Sequence, residues 1–154
     1  MEANANNRNR APALLPLNEA VGVQRAVHTW LNTCTELPTG MGVSFEDLAE
    51  NAAGYAMASV QSPAYAARYI LGGYQGEYRF RVIARALPSD GGDMLDAVEG
   101  LAKIAGWCES ADPPTLDGAV NTHIKRNTDA AAIAAYDDGC IDYAVELTFT
   151  WEVF

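Results

Sequence analysis

Basic residues are scarce in this chain: ten lysines and arginines stand against twenty aspartates and glutamates, a formal net charge of −10. Net attraction to a phosphate backbone or an anionic bilayer is therefore missing, which argues against broad nucleic-acid or membrane binding and leaves only local basic patches. Cysteine is sparse too. Cys34, Cys108 and Cys140 are odd in number and far apart, so they encode neither a secreted disulfide framework nor a paired metal knuckle, and reduced intracellular surroundings suit them. Long apolar runs are absent: no window approaches the ~18 uninterrupted apolar residues of a membrane helix, and the opening MEANANNRNRAPALLPL has no extended apolar stretch or cleavage site of a secretory leader. Neither secretion nor membrane spanning is expected.

Catalytic signatures are equally thin. His28 and His123 are the only histidines, and neither stands at a familiar metal-site spacing from a cysteine, histidine or carboxylate. No nucleophile-base-acid triad can be assembled. GGYQG at Gly72–Gly76 invites a phosphate-loop reading, yet it lacks the Lys-Ser/Thr ending of a nucleotide loop and the Gly-x-Gly-x-x-Gly of a dinucleotide helix; a hairpin apex explains its glycines more simply. DDGCID carries Asp137, Asp138 and Asp142 without the ligand spacing of a calcium loop, and Asp-Gly between extended segments is ordinary turn chemistry. The carboxylates Glu46, Asp47 and Glu50, and Asp93, Asp96 and Glu99, read as solvated helix faces rather than a glycosidase pair. Catalytic, cofactor and metal residues are all expected to be none.

What is present is pattern. The 154 residues suffice for one domain with its own core. Residues 1–16 are rich in Asn, Ala and Arg without period and read as a flexible N-terminal arm, leaving 17–154 as a single domain. From Leu17 a helical stripe runs through Ala20, Val23, Val27, Trp30 and Leu31, ended by the turn signal Leu37-Pro38-Thr39-Gly40. SFEDLAEN reads as a short helical turn and AAGYAMASVQ as a strand. AARYILGGYQGEYRFRVIARAL then gives two extended segments around Gly72, Gly73 and Gly76, a hairpin whose second arm puts Tyr78, Phe80, Val82 and Ala84 on one face and Arg79, Arg81 and Arg85 on the other. After Pro88, with Ser89 or Asp90 as cap, a second helix is expected with Met94, Leu95, Val98, Leu101, Ala102 and Ala105 on its apolar side. ESADPPTLDG is a loop, and AVNTHIKRN and AAIAAY are strand candidates.

The closing DYAVELTFTWEVF is the strongest signal. Tyr143, Val145, Leu147, Phe149, Trp151 and Val153 alternate with Asp142, Ala144, Glu146, Thr148, Thr150 and Glu152, the period of a half-buried strand. Each large apolar side chain left in water would forgo about 1.5–3 kcal/mol, so this tail belongs to the core. The sum is an α+β domain: one largely antiparallel or mixed β-sheet packed by at least two α-helices. Three arginines on one strand face repel unless they meet solvent, a polyanion, or acidic partners such as Glu146 and Glu152 of the last strand or the acidic surface of another subunit.

The stretch YAARYILGGYQGEYRFRVIAR, especially Tyr65, Tyr69, Gly72, Gly73, Tyr74, Gly76, Phe80 and Arg85, followed by SDGGDMLDAVEGLAKIAGWCE and DDGCIDYAVELTFTWEVF, resembles a tailed-bacteriophage family of minor capsid proteins related to tail terminators, or tail-to-head joining proteins. The resemblance covers roughly residues 50 to 154 and lies in the order of hairpin, apolar helix, proline loop and aromatic final strand. It implies a small α+β subunit without catalytic residues or cofactor. It also implies homo-oligomeric assembly, a hexameric ring, at the head-proximal end of the tail. The partners implied are the tail tube protein and the head-tail connector or neck proteins, with no membrane or specific nucleic acid. The location implied is the tail and neck region of the virion, assembled in host cytoplasm. A head-completion or connector protein is the alternative within the virion; a small enzyme or a nonviral binding module are the alternatives outside it. The expected interface is the hairpin loop Gly72–Gly76, the arginine stripe and the polar loop Glu109–Gly118.

Overall fold

A computed structural model of the chain describes residues 17–46, 48, 53–63, 65–88 and 91–154. The arm expected over 1–16 and the Ser89 or Asp90 cap lie outside the described residues. The elements run α1 (Leu17–Leu31), β1 (Val43–Phe45), β2 (Gly54–Val60), β3 (Ala67–Arg68), β4 (Tyr74–Ala86), α2 (Gly91–Ser110), β5 (Val120–Arg126), β6 (Ala131–Ala135) and β7 (Ile141–Val153). The fold is the expected α+β class, a seven-stranded mixed sheet covered by two helices. Its order is β1-β2-β4-β7-β5, with β3 on the β2 side of β4 and β6 beside β5 along β7. Among the described strands, only the β1-β2 pair is parallel.

At the centre lies one long antiparallel ladder. β4 and β7 pair over their full length from Tyr74↔Val153 to Ala86↔Ile141. This register sets Tyr78 beside Phe149, Phe80 beside Leu147 and Val82 beside Val145, so the apolar alternation of both strands faces one side; a slip by one residue would turn either set to water. Met57 of β2 extends that face, and Val27 and Leu31 of α1 with Leu101, Ile104 and Cys108 of α2 close over it. The tail that ends the sequence is thus the second of two central strands.

Three expectations are revised. Ser44 and Phe45 lie in β1, not in a helical turn, because they pair with Ala56 and Met57 of β2; Asp47 and Glu50 of that stretch lie outside the described residues. The buried side of α2 is Leu101, Ile104, Ala105 and Cys108, whereas Leu95 and Ala102 are exposed. Apolar residues surround much of this helix, so the period admits more than one face and packing selects one. Gly76 does not serve the hairpin apex. It sits inside β4 opposite Trp151, and a Cβ there would lie 2.2 Å from the indole, so the residue is needed for close approach of the ring.

The outer edge of β1 is capped at Val43 by His28 of α1 and by Asn32 just after it. The Asn32 carboxamide accepts from the Val43 N–H at 2.8 Å and donates to the Val43 carbonyl at 3.1 Å, and His28 Nε2 donates to the same carbonyl at 2.7 Å. Asn32 thereby stands in for the peptide group of a neighbouring strand and blunts this edge against further pairing.

Gly76→Ala is expected to lose about 1–3 kcal/mol through overpacking against Trp151. Gly106→Ala, inside α2 with open space around it, is expected to gain about 0.5–1 kcal/mol. Urea unfolding of the two variants measures both signs; equal effects would remove the close-approach account of Gly76.

Candidate functional site

The three arginines of the expected stripe share the sheet face away from the helices, but their surroundings differ. Arg79 pairs with Glu77 at 3.1 Å with its side chain 42 % exposed, and Arg81 approaches Glu146 at 3.8 Å with 46 % exposed. Pairs so exposed contribute little stability. Arg85 is different: 12 % exposed, it grips both oxygens of Asp142 at 2.7 and 3.0 Å. Its guanidinium also stacks on the Tyr136 ring, 4.8 Å from the centroid, while the Tyr136 hydroxyl donates to Asp142 Oδ2 at 2.8 Å. The β4-β7 register that aligns the core on one face puts Arg85 opposite Asp142 on the other.

Electrostatics of this network follow from its geometry. Burial alone would push the Asp142 carboxyl up, but hydrogen bonds from Arg85 and Tyr136 and the guanidinium charge outweigh it and hold the group below its ordinary value. The hydrogen bond to Asp142 raises Arg85 further. Arg85 is therefore an internal tie between β4, β7 and the β6-β7 hairpin, which corrects its place in the expected interface. Glu152, the other expected partner of the stripe, lies opposite Gln75 and accepts from Asn121 at 3.1 Å. Asp142 was legible in the sequence as a carboxylate of DDGCID on the polar face of the last strand; its partner emerges from strand register.

The hairpin turns where expected, and Gly72 and Gly73 take φ of 99° and 88° there, the left-handed region that glycine enters freely. The residues at its tip are Ile70 and Leu71, which sequence reading assigned to a strand and which stand fully exposed, Leu71 at 100 %. The tip is nonetheless held. The Tyr69 N–H donates to the Gly73 carbonyl and the Gly72 N–H to the Tyr69 carbonyl, both at 3.2 Å, and the Tyr69 ring stacks on Phe154 with centroids 5.6 Å apart. Arg68, at the base of the tip, lies over the Tyr65 ring at 4.5 Å. An apolar pair placed directly before Gly-Gly was the available signal, since a turn cannot bury both side chains.

The polar loop Glu109–Gly118 is strapped down. Trp30 Nε1 donates to the Asp112 carbonyl at 2.8 Å, Trp30 packs on Trp107, and Glu109 meets Arg126 at 2.9 Å. Leu116 packs on the core, leaving Asp112, Thr115, Asp117 and Gly118 outward. His28 is engaged with β1 as described, and His123 is exposed on β5. Asp137 and Asp138 belong to the β6-β7 turn, where Asp138 Oδ1 accepts from the Cys140 N–H at 2.9 Å. Among the described residues, no group of three or more His, Cys, Asp or Glu is arranged to hold a metal, and no helix is long and apolar enough to cross a membrane. Outward-reaching features among the described residues thus include the Ile70–Leu71 tip, Arg79 with Arg81, and the outer rim of the proline loop, alongside exposed Leu95, Val120, Ile133 and Phe154. No protein-family model matches the chain, and no match was found among curated proteins.

Asp142→Asn is expected to cost about 3 kcal/mol, because it leaves a nearly buried guanidinium without its counter-charge. The depressed carboxyl adds stability that is complete above the unfolded aspartate value of about 3.9 and is lost as pH falls through the lower folded value. Urea midpoints of the wild type and Asp142→Asn should therefore keep a constant gap from pH 7 down to about 4 and draw together only as the pH is lowered further; a gap that stays constant at the acid end would refute this account.

Proposed function

We propose that the chain is a structural subunit of a tailed-bacteriophage virion. The particular role is a tail terminator whose subunits close a ring, a hexamer on the pattern of the family it resembles. The ring caps the tail tube and presents the surface at which the tail joins the head, in contact with tube protein on one side and connector or neck proteins on the other. No catalytic role is part of this reading.

The resemblance over residues 50 to 154 starts the reading, and one structural observation carries its physical side. Ile70 and Leu71 are held fully exposed on a braced hairpin. Large aliphatic side chains in water forgo about 1.5–3 kcal/mol each, a cost removed when a partner covers them, and little ordering entropy is lost because the tip is already fixed. Arg79 and Arg81 add exposed cations to a chain of net charge −10, a combination suited to meeting the acidic surface of a sister copy. A ring also has two unlike faces. A face shaped for the last tube layer, backed by a face that recruits no further tube subunit, ends polymerisation by geometry.

Arg79→Glu with Arg81→Glu is expected to lower the oligomer mass in native mass spectrometry while the melting temperature stays within a few degrees, since both side chains are exposed. Electron microscopy of tails assembled with and without the protein tests the role itself. Overlong tubes in its absence support termination; tubes of normal length that fail to join heads assign it to head completion or connection.

A further inference from the structure

At the end of β4 remote from the hairpin, the helix layer and the sheet part to leave an open cleft of about 270 Å³. Its walls are mainly apolar, with Met41, Tyr55, Ala84, Ala86, Leu87 and Ala97; of its two charged lining residues, Arg85 is already paired with Asp142, and Asp96 is exposed. A cavity of about 150 Å³ with aliphatic walls already holds a benzene ring, so this one has room for branched aliphatic side chains. The Tyr55 hydroxyl lies where a Cβ on Gly100 would be 2.6 Å away, so the glycine allows α2 to ride low over Tyr55 and shape the inner wall.

Tip and cleft occupy opposite poles of one strand. From Tyr74, at the base of the hairpin, to Ala86 the thirteen residues of β4 span about 40 Å at ~3.3 Å per residue. Charge differs between the poles as well: Arg68 stands at the base of the tip, and Asp96 lines the cleft with Glu99 exposed one turn further along α2. The two surfaces are therefore complementary in shape class and in charge, yet too far apart to meet within one subunit.

We propose that the Ile70–Leu71 tip of one subunit seats in the cleft between α2 and the far end of β4 on the next copy of this chain. The contact rests on the assembly reading above and gives it a specific joint. Because tip and cleft are different patches, the joint is heterologous, and copies add head to tail until rotation closes the ring. Leu71 and Ile70 enter the apolar walls while Arg68 comes to the acidic rim of Asp96 and Glu99. At Val43 the edge of β1 is already hydrogen-bonded, which disfavours strand addition at that point.

A chain carrying Leu71→Cys and Ala97→Cys, oxidised with diamide and run on a non-reducing gel, tests the joint directly. The three native cysteines are buried, and the unmutated chain supplies the background. The expected result is a ladder of covalent multimers ending at the ring number. A product that stops at dimer would indicate a reciprocal contact, and no product above background would assign the tip to another partner; either overturns the proposal. A second arm avoids any dependence on the introduced thiols. Arg68→Glu and Asp96→Lys should each lower the multimer fraction in sedimentation velocity, and the two together should restore it; failure of the pair to restore assembly also counts against the joint. The outcomes separate from the tail role: a ladder with tubes left overlong keeps the joint and removes termination, whereas capped tubes without a ladder keep termination and remove the joint.

Discussion

The pairing of β4 with β7 is the constraint on which everything else in this molecule depends. Thirteen residues of each strand lie in unbroken antiparallel register, and because side chains alternate with period two, that single alignment sorts both faces at once. One face collects Phe80, Val82, Val145, Leu147 and Phe149, which the helices bury. The other receives the arginines, Thr148, Glu146 and Asp142. The last strand is also where the hairpin tip is anchored, through Phe154 against Tyr69 and the Val153 carbonyl against Gly73.

The polar face shows how one strand can carry like charges to different ends. Arg85 is enclosed by Asp142 and Tyr136, where low local dielectric strengthens a bidentate pair and makes loss of one member expensive. Arg81 and Arg79, two and three pleats away, keep their heads in water and hold loose pairs with Glu146 and Glu77. The first arrangement ties the β6-β7 hairpin to the centre of the sheet. The second leaves cations at the surface, where they influence approach and orientation of a partner more than stability of the fold.

The β1 edge and the hairpin tip offer a partner different things. At β1 the outward amide and carbonyl of Val43 are already satisfied by Asn32 and His28, so strand addition there has little to offer. An exposed apolar pair on a preorganised turn instead offers burial without backbone pairing. That mode of contact confers directionality, because a tip and a cleft on opposite poles cannot satisfy each other within one chain or through a simple exchange of identical patches.

Sequence alone determined the α+β class, the alternation in β4 and β7, the start of α1, the Asp-Gly and Gly-Gly turns, and the facing of Arg79, Arg81 and Arg85 away from the core. Each of these depends on residues close in the chain: a period, a turn residue or a run of apolar side chains is a local property. Tertiary structure alone decided which side of α2 is buried, that Ser44 and Phe45 join a parallel strand pair, that Gly76 makes room for Trp151, and that Asp142 belongs to Arg85. Those outcomes depend on which distant segment arrives as neighbour and in what register, and on the volume left between helix and sheet. Ile70 and Leu71 sit at the boundary between the two: their composition was legible, but only the closed turn beneath them put both side chains in water.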